Sequence, residues 1–223
     1  MRARGFLIVL VLLSQCEDDR VRFEVPQPEG QKNESAIPRK MFGVYVSLND
    51  SSLLVITPRC IVRKAEENET ILLSKFLSDV DSVDRYKFTH DTTFSKTDTV
   101  GCAFINVGCA ICGDQVFQKA TITDTLFGSH HDVVRKFKGY YFLNHRISEK
   151  SWSVRKAGIT RQGIAIGEIA SVEDINTLRA LTNSESDTVY TFRPTRKQMK
   201  KYLKENGFGR EERFVKIKDS TFD

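Results

Sequence analysis

Short apolar runs that alternate with polar residues and stop at turn residues constrain this chain more than any other feature. Phe42-Gly43-Val44-Tyr45-Val46-Ser47-Leu48 has the two-residue period of a half-buried strand. Asn49-Asp50-Ser51-Ser52 then has the composition of a turn, and Leu53 to Thr57 starts a second strand. Pro58 removes a ladder donor, and Cys60-Ile61-Val62-Arg63 resumes the strand pattern. Further short strands are expected at Arg85–Thr89, Val100–Val107, Asp114–Lys119 and Thr121–Phe127. Thr70–Val80 fits two readings, because Ile71, Leu72, Phe76 and Leu77 match a helical stripe as well as a buried strand. Frequent turns between short strands favour a sandwich or a barrel.

The C-terminal third changes period. Ser171 with Asp174 resembles a capping box, and Val172, Ile175, Leu178 and Leu181 supply a helical apolar stripe behind it. After Pro194, Thr195 can cap a second helix while Gln198 reaches back, with Met199, Tyr202 and Leu203 on one face. Gly207 is expected to take the left-handed exit, with Phe208 folding onto Leu203. Strands are expected at Gly163–Ala170, Val189–Arg193 and Arg213–Lys218. The expected class is therefore mainly β (α+β): antiparallel barrel- or sandwich-like sheets with two short C-terminal helices.

The first residues speak to compartment. Arg2 and Arg4 precede the apolar run Phe6–Leu13, and Ser14, Gln15 and Cys16 follow before the acidic trio Glu17, Asp18 and Asp19. A basic start, a short apolar core and a polar exit are the parts of an export signal. The run is too short for the about 20 residues that cross a bilayer. Leu13-Ser14-Gln15-Cys16 resembles the lipobox of bacterial lipoproteins, which implies a diacylglyceryl group on Cys16 and a cell-envelope location, outer membrane before inner. Residues 1–15 are then a signal peptide, 16–40 a tether broken by Pro26, Pro28, Gly30 and Pro38, and 41–223 a β-rich body. The alternating Val21-Arg22-Phe23-Glu24-Val25 could instead pair at a sheet edge. Three Asn-x-Ser/Thr triplets, at Asn33, Asn49 and Asn68, keep a secreted glycoprotein as the alternative.

A weak internal echo runs through the body. Arg39-Lys40-Met41-Phe42-Gly43-Val44-Tyr45 and Arg135-Lys136-Phe137-Lys138-Gly139-Tyr140-Tyr141 agree at Arg, Lys, Gly and Tyr, and each leads to a Leu-Asn pair. Duplication would give two related halves, 41–128 and 129–223. Glycine before an aromatic on a first strand is also similar to the start of lipocalins, which implies a barrel-like meander and, at most, a carrier of an apolar ligand. Together with Asp124–Phe127 and Arg135–Asn144, these features resemble uncharacterised bacterial cell-envelope lipoproteins. That resemblance implies a membrane anchor and brings no activity with it.

Composition excludes little else. A formal net charge of +5, part of it from the signal, gives no argument for nucleic acid. Cys109-Ala110-Ile111-Cys112 is the compact constellation: two thiols that could form a redox disulfide or half of a zinc site, with Cys102 and Cys60 available to complete four ligands or make structural disulfides. Val107-Gly108 before the pair and Gly113-Asp114 after it place it in an expected β-turn. Ser129-His130-His131-Asp132 reads as a solvated turn, and His90 and His145 stand apart from it. No Gly-x-Ser-x-Gly elbow or phosphate loop is present. Arg196, Lys197, Lys200, Lys201 and Lys204 give a charged helix face that could touch acidic lipid or polysaccharide. The functional expectation is a membrane-anchored, non-enzymatic binding or structural module without cofactor. Its protein, glycan or small-molecule partner is not legible in the residues. The alternative is a thiol-redox or metal-binding envelope protein using Cys109 and Cys112.

Overall fold

The computed structural model describes residues 21–79, 93–100, 103–128, 130–183 and 190–218. The chain divides into two compact units, Lys64–Asp124 forming the body of one and the segments ending at Arg63 and starting at Thr125 forming the other. The boundaries of this partition, after Arg63 and before Thr125, do not coincide with those of the halves 41–128 and 129–223. Of the echoed residues, Arg39–Met41 form a 3-10 turn whereas Arg135–Phe137 lie in a strand, while Tyr45 and Tyr141 both lie in strands.

The larger unit is built from β1 (Val21–Phe23), β2 (Gly43–Ser47), β3 (Leu53–Ile56), the start of β4 (Ile61–Leu72) and the end of β7 (Gln115–Phe127). It continues with β8 (Val133–Phe137), β9 (Tyr140–Ser148), β10 (Ser151–Ile159), β11 (Gly163–Glu168), β12 (Tyr190–Phe192) and β13 (Arg210–Lys218). Strands follow one another in the order β8-β9-β10-β11-β13-β2-β3-β4-β7, while β1 and β12 attach beside β10. Apart from the parallel β1–β12 pair, the registered pairs are antiparallel.

One buried cluster joins Val134 of β8, Tyr141 and Leu143 of β9, Ala157, Ile164, Ile166, Phe214, Tyr45, Leu54, Ile56 and Ile61 to Leu126 of β7. In a flat sheet at about 4.8 Å per strand the first and last of these would lie nearly 40 Å apart. The Leu126 carbonyl of β7 accepts from Arg155 of β10, six strand steps away in this order, at 3.3 Å, so the open sheet curls over its own side chains.

A second layer covers the outer face near β9 and β10. The helices α2 (Val172–Thr182) and α3 (Arg196–Lys204) place Leu178, Met199 and Tyr202 against Phe142, Val154, Phe23 and Phe192. β9 is thus covered on both faces, which explains the unbroken buried run Tyr141-Phe142-Leu143-Asn144. Thr195 and Gln198 form the expected capping box. At the other helix only half of one is made. Ser171 accepts from the Asp174 N–H at 3.0 Å, but the Asp174 carboxylate turns inward to Tyr202 Oη and the Gly209 N–H. The exit of α3 also differs from expectation. Asn206 takes the left-handed conformation at φ 61°, and Gly207 is required for space, since a Cβ there would lie 2.5 Å from the Tyr202 ring.

The segment expected to be a tether is folded from Val21 onward. β1 pairs with β12 and meets Trp152 of β10, Ile37 and Met41 are core residues, and two side chains hold the Pro-rich stretch between them. Buried Asn144 accepts from the Gln27 N–H at 2.5 Å and donates to the Gln27 carbonyl at 2.9 Å. Arg135 donates to the Pro26 and Pro28 carbonyls and to Asn33 Oδ1. Proline interrupts strands, but its carbonyl still accepts, and here long-range donors satisfy it.

In the smaller unit the ambiguous Thr70–Val80 stretch is both things: β4 runs to Leu72 and the helix α1 follows at Leu73–Asp79. β5 (Thr93–Val100), β6 (Ala103–Cys112) and β7 form an antiparallel meander. Asp114–Lys119 and Thr121–Phe127, expected as separate strands, are one strand. Phe76, Cys109 and Val116 make the unit's small core, with Ile71, Leu73, Leu77 and Ile111 packed on it. The strand expected at Arg85–Thr89 lies outside the described residues.

Candidate functional site

The strands that line the larger core carry polar side chains at one common end. Each lies two residues from a core position, so the period of the strand places it on the same face. Arg155 precedes Ala157, Glu168 follows Ile166, Glu212 precedes Phe214 and Ser47 follows Tyr45. Ser52 precedes Leu54, Arg63 follows Ile61, His145 follows Leu143 and Asp132 precedes Val134. Because neighbouring strands run antiparallel, these alternating offsets all point to one end of the curled sheet.

Arg63 is the centre of one group. Its Nη2 donates to Asp50 Oδ2 at 2.6 Å and Glu212 Oε1 at 2.9 Å, and its Nε donates to Ser52 Oγ at 3.0 Å. Ser47 Oγ donates to the same Glu212 oxygen at 2.7 Å. Burial opposes ionisation of Asp50, yet hydrogen bonds from Ser52 and the Arg63 charge hold its carboxyl below the ordinary value. In the second group Arg155 Nε donates to Glu168 Oε1 at 2.5 Å and Nη1 donates to the Leu126 carbonyl at 3.3 Å. Desolvation of Glu168 is outweighed by Arg155 first, then Arg210 and Arg63, so its carboxyl too titrates below the usual range.

Asp132 and His145 form the third group. The Asp132 side chain is 0% exposed, and both of its oxygens lie 3.1 Å from His145 Nδ1. The Gly128 N–H donates to Oδ2 at 2.8 Å and the Arg146 N–H to Oδ1 at 3.0 Å. This carboxylate anchors the connection between β7 and β8 and orients the imidazole. The expected solvated turn is therefore correct for the exposed His130 and His131 but not for Asp132, whose carboxylate the backbone has captured.

The cysteine constellation is not assembled. Cys109 and Cys112 both lie within β6, and the turn falls afterwards at Gly113-Asp114, with Gly113 at φ 63°. Three residues along a strand is an odd step, so the two thiols face opposite sides, one buried and one exposed. Their Cα atoms are about 10 Å apart at strand rise, beyond the roughly 7 Å limit for a disulfide. Burial pushes the Cys109 thiol up against an opposing hydrogen bond from Gln118, which is the reverse of an activated thiolate.

Cys60 belongs to the other unit. Its Sγ lies 3.3 Å from Thr57 Oγ1, and its Cβ packs so closely on Gly128 that a Cβ there would sit 2.8 Å away. Cys60, Cys109 and Cys112 are free thiols, and no group of three or more metal-ligating side chains occurs among the described residues. Cys16, Cys102 and His90 lie outside the described residues.

The polar end was not identified from the sequence, although a signal for it existed. On each core strand a charged or hydroxyl residue continues the apolar period by one step. The pattern marks the end only when the strand order is known. No protein-family model matches the chain, and no curated protein and no solved structure matches it.

Proposed function

We propose that the chain is an exported, lipid-anchored protein of a bacterial cell envelope whose body is a non-enzymatic binding module, with the polar end of the curled sheet as its ligand seat. The observation that carries the binding reading is the convergence of Arg63, Arg155, Glu168, Glu212 and the Asp132–His145 pair on one end of one sheet face. These groups already satisfy one another, so they offer both signs of charge in fixed positions to a polar ligand. The anchor rests on Leu13-Ser14-Gln15-Cys16. The placement of Cys109 and Cys112 gives no support to a thiol-redox role.

The intact mass of protein extracted from membranes tests the anchor. The expected result is an acyl mass on a chain beginning at Cys16, lost together with membrane association in Cys16→Ala. An unmodified thiol at that position, or unchanged fractionation of the variant, refutes it. The seat is tested by screening metabolite and glycan fractions by thermal shift against the parent and Arg63→Met. A stabilising fraction that acts on the parent alone supports it, whereas equal shifts in both place the ligand elsewhere.

A further inference from the structure

We propose that the cationic face of α3 is a docking surface for an anionic phospholipid bilayer; this rests on the lipid-anchored reading above. At 100° per residue, Arg196, Lys197, Lys200, Lys201 and Lys204 fall within an arc of about 140°. All five are exposed, while Met199 and Tyr202 on the opposite arc are buried. One acidic residue, Glu205, borders the arc, 3.7 Å from Lys201. Arg196 lies 5.4 Å from the centre of the Phe137 ring, and the exposed Lys136 and Lys138 flank that phenylalanine in sequence, so the cationic surface extends onto the β8–β9 turn.

Position supplies the second argument. β1 begins at Val21, and Glu17 to Arg20 are the residues between it and Cys16. Five residue steps span at most about 17 Å, so an acylated Cys16 keeps β1 close to the headgroups. β1 packs in the same buried cluster as α3, through Val21, Phe23, Met199 and Tyr202. β12, the parallel partner of β1, ends at Phe192, and α3 starts four residues later at Arg196. The helix is thereby confined near the anchor. Glu17, Asp18 and Asp19 oppose attraction to an anionic surface, and Arg193 is already engaged by Glu24 and Glu29, so α3 must supply the attraction.

The test uses the full chain carrying Cys16→Ala, sedimented with vesicles of phosphatidylcholine alone or with about one third phosphatidylglycerol. Binding to the anionic vesicles and not to the neutral ones is expected. Replacing Lys197, Lys200, Lys201 and Lys204 with Gln should weaken it roughly a hundredfold, at about fivefold per lysine with some loss to incomplete contact. Arginine at the same four positions should retain binding, which separates charge from folding. Equal binding with and without the lysines overturns the proposal. So does retention on an acidic polysaccharide without vesicle binding, which would make the partner a soluble polyanion. An unacylated Cys16 in native protein would sink the anchored reading alone, because the vesicle assay contains no acyl group.

Discussion

Asn144 shows how one polar residue can decide where a chain segment lies. It is fully buried, and its amide donates to the carbonyls of Gln27, Val133 and Phe142 while accepting from the Gln27 N–H. Alanine would leave several of these backbone groups buried without partners, each costing about 1–3 kcal/mol. We expect Asn144→Ala to lose roughly 2–4 kcal/mol in urea unfolding and to expose residues 24–34 to protease.

Gly163 is constrained differently, since a Cβ there would lie 2.0 Å from the Phe214 carbonyl oxygen. At Gly158 the nearest atom would be a Tyr140 ring carbon at 3.4 Å. Gly163→Ala should therefore lower the melting temperature strongly and Gly158→Ala weakly. Glu168 carries a pH signature. Its folded pKa lies below its unfolded one, so its contribution is present above about pH 4.3 and is lost as pH falls through the folded value. Glu168→Gln should thus be less stable than the parent near neutrality, with the gap closing in acid; a gap that persists at pH 2 would contradict the assignment.

Elements behave as their local chemistry dictates until a neighbour offers something stronger. α3 has a complete capping box, so Thr195→Ala should cost about 1 kcal/mol, read from the unfolding midpoint. In α2 the residue that would have closed a box, Asp174, was taken by Tyr202 and Gly209 of the layer packed on it. Burial, and then Asp174 itself, pushes the Tyr202 hydroxyl above its ordinary range, so it remains a donor to that carboxylate. In β6 the strand period separates two cysteines that are close in sequence. Under native conditions maleimide should modify Cys112 rapidly and Cys109 only after unfolding; equal rates would mean that β6 does not pack as described.

At the scale of the whole molecule, residues with the composition of a linker became part of the body, and residues with the composition of a redox motif became ordinary strand. Local composition was the same in either case; the difference came from Asn144, Arg135 and the β1–β12 pairing, all distant in sequence. The mainly β class, the two C-terminal helices, the capping box at Thr195 and the strand Phe42–Leu48 were legible, because hydrophobic period and capping are local properties. The segment 21–41, the ends of β7, the conformation of Asn206 and the polar end of the curled sheet were not. Each depends on which strands become neighbours, and that choice is made by long-range burial of side chains such as Tyr45, Phe214 and Leu126 in one core. The sequence alone determined what kind of elements this protein has; tertiary packing decided which polar groups meet, because strand order, not strand period, brings distant residues together.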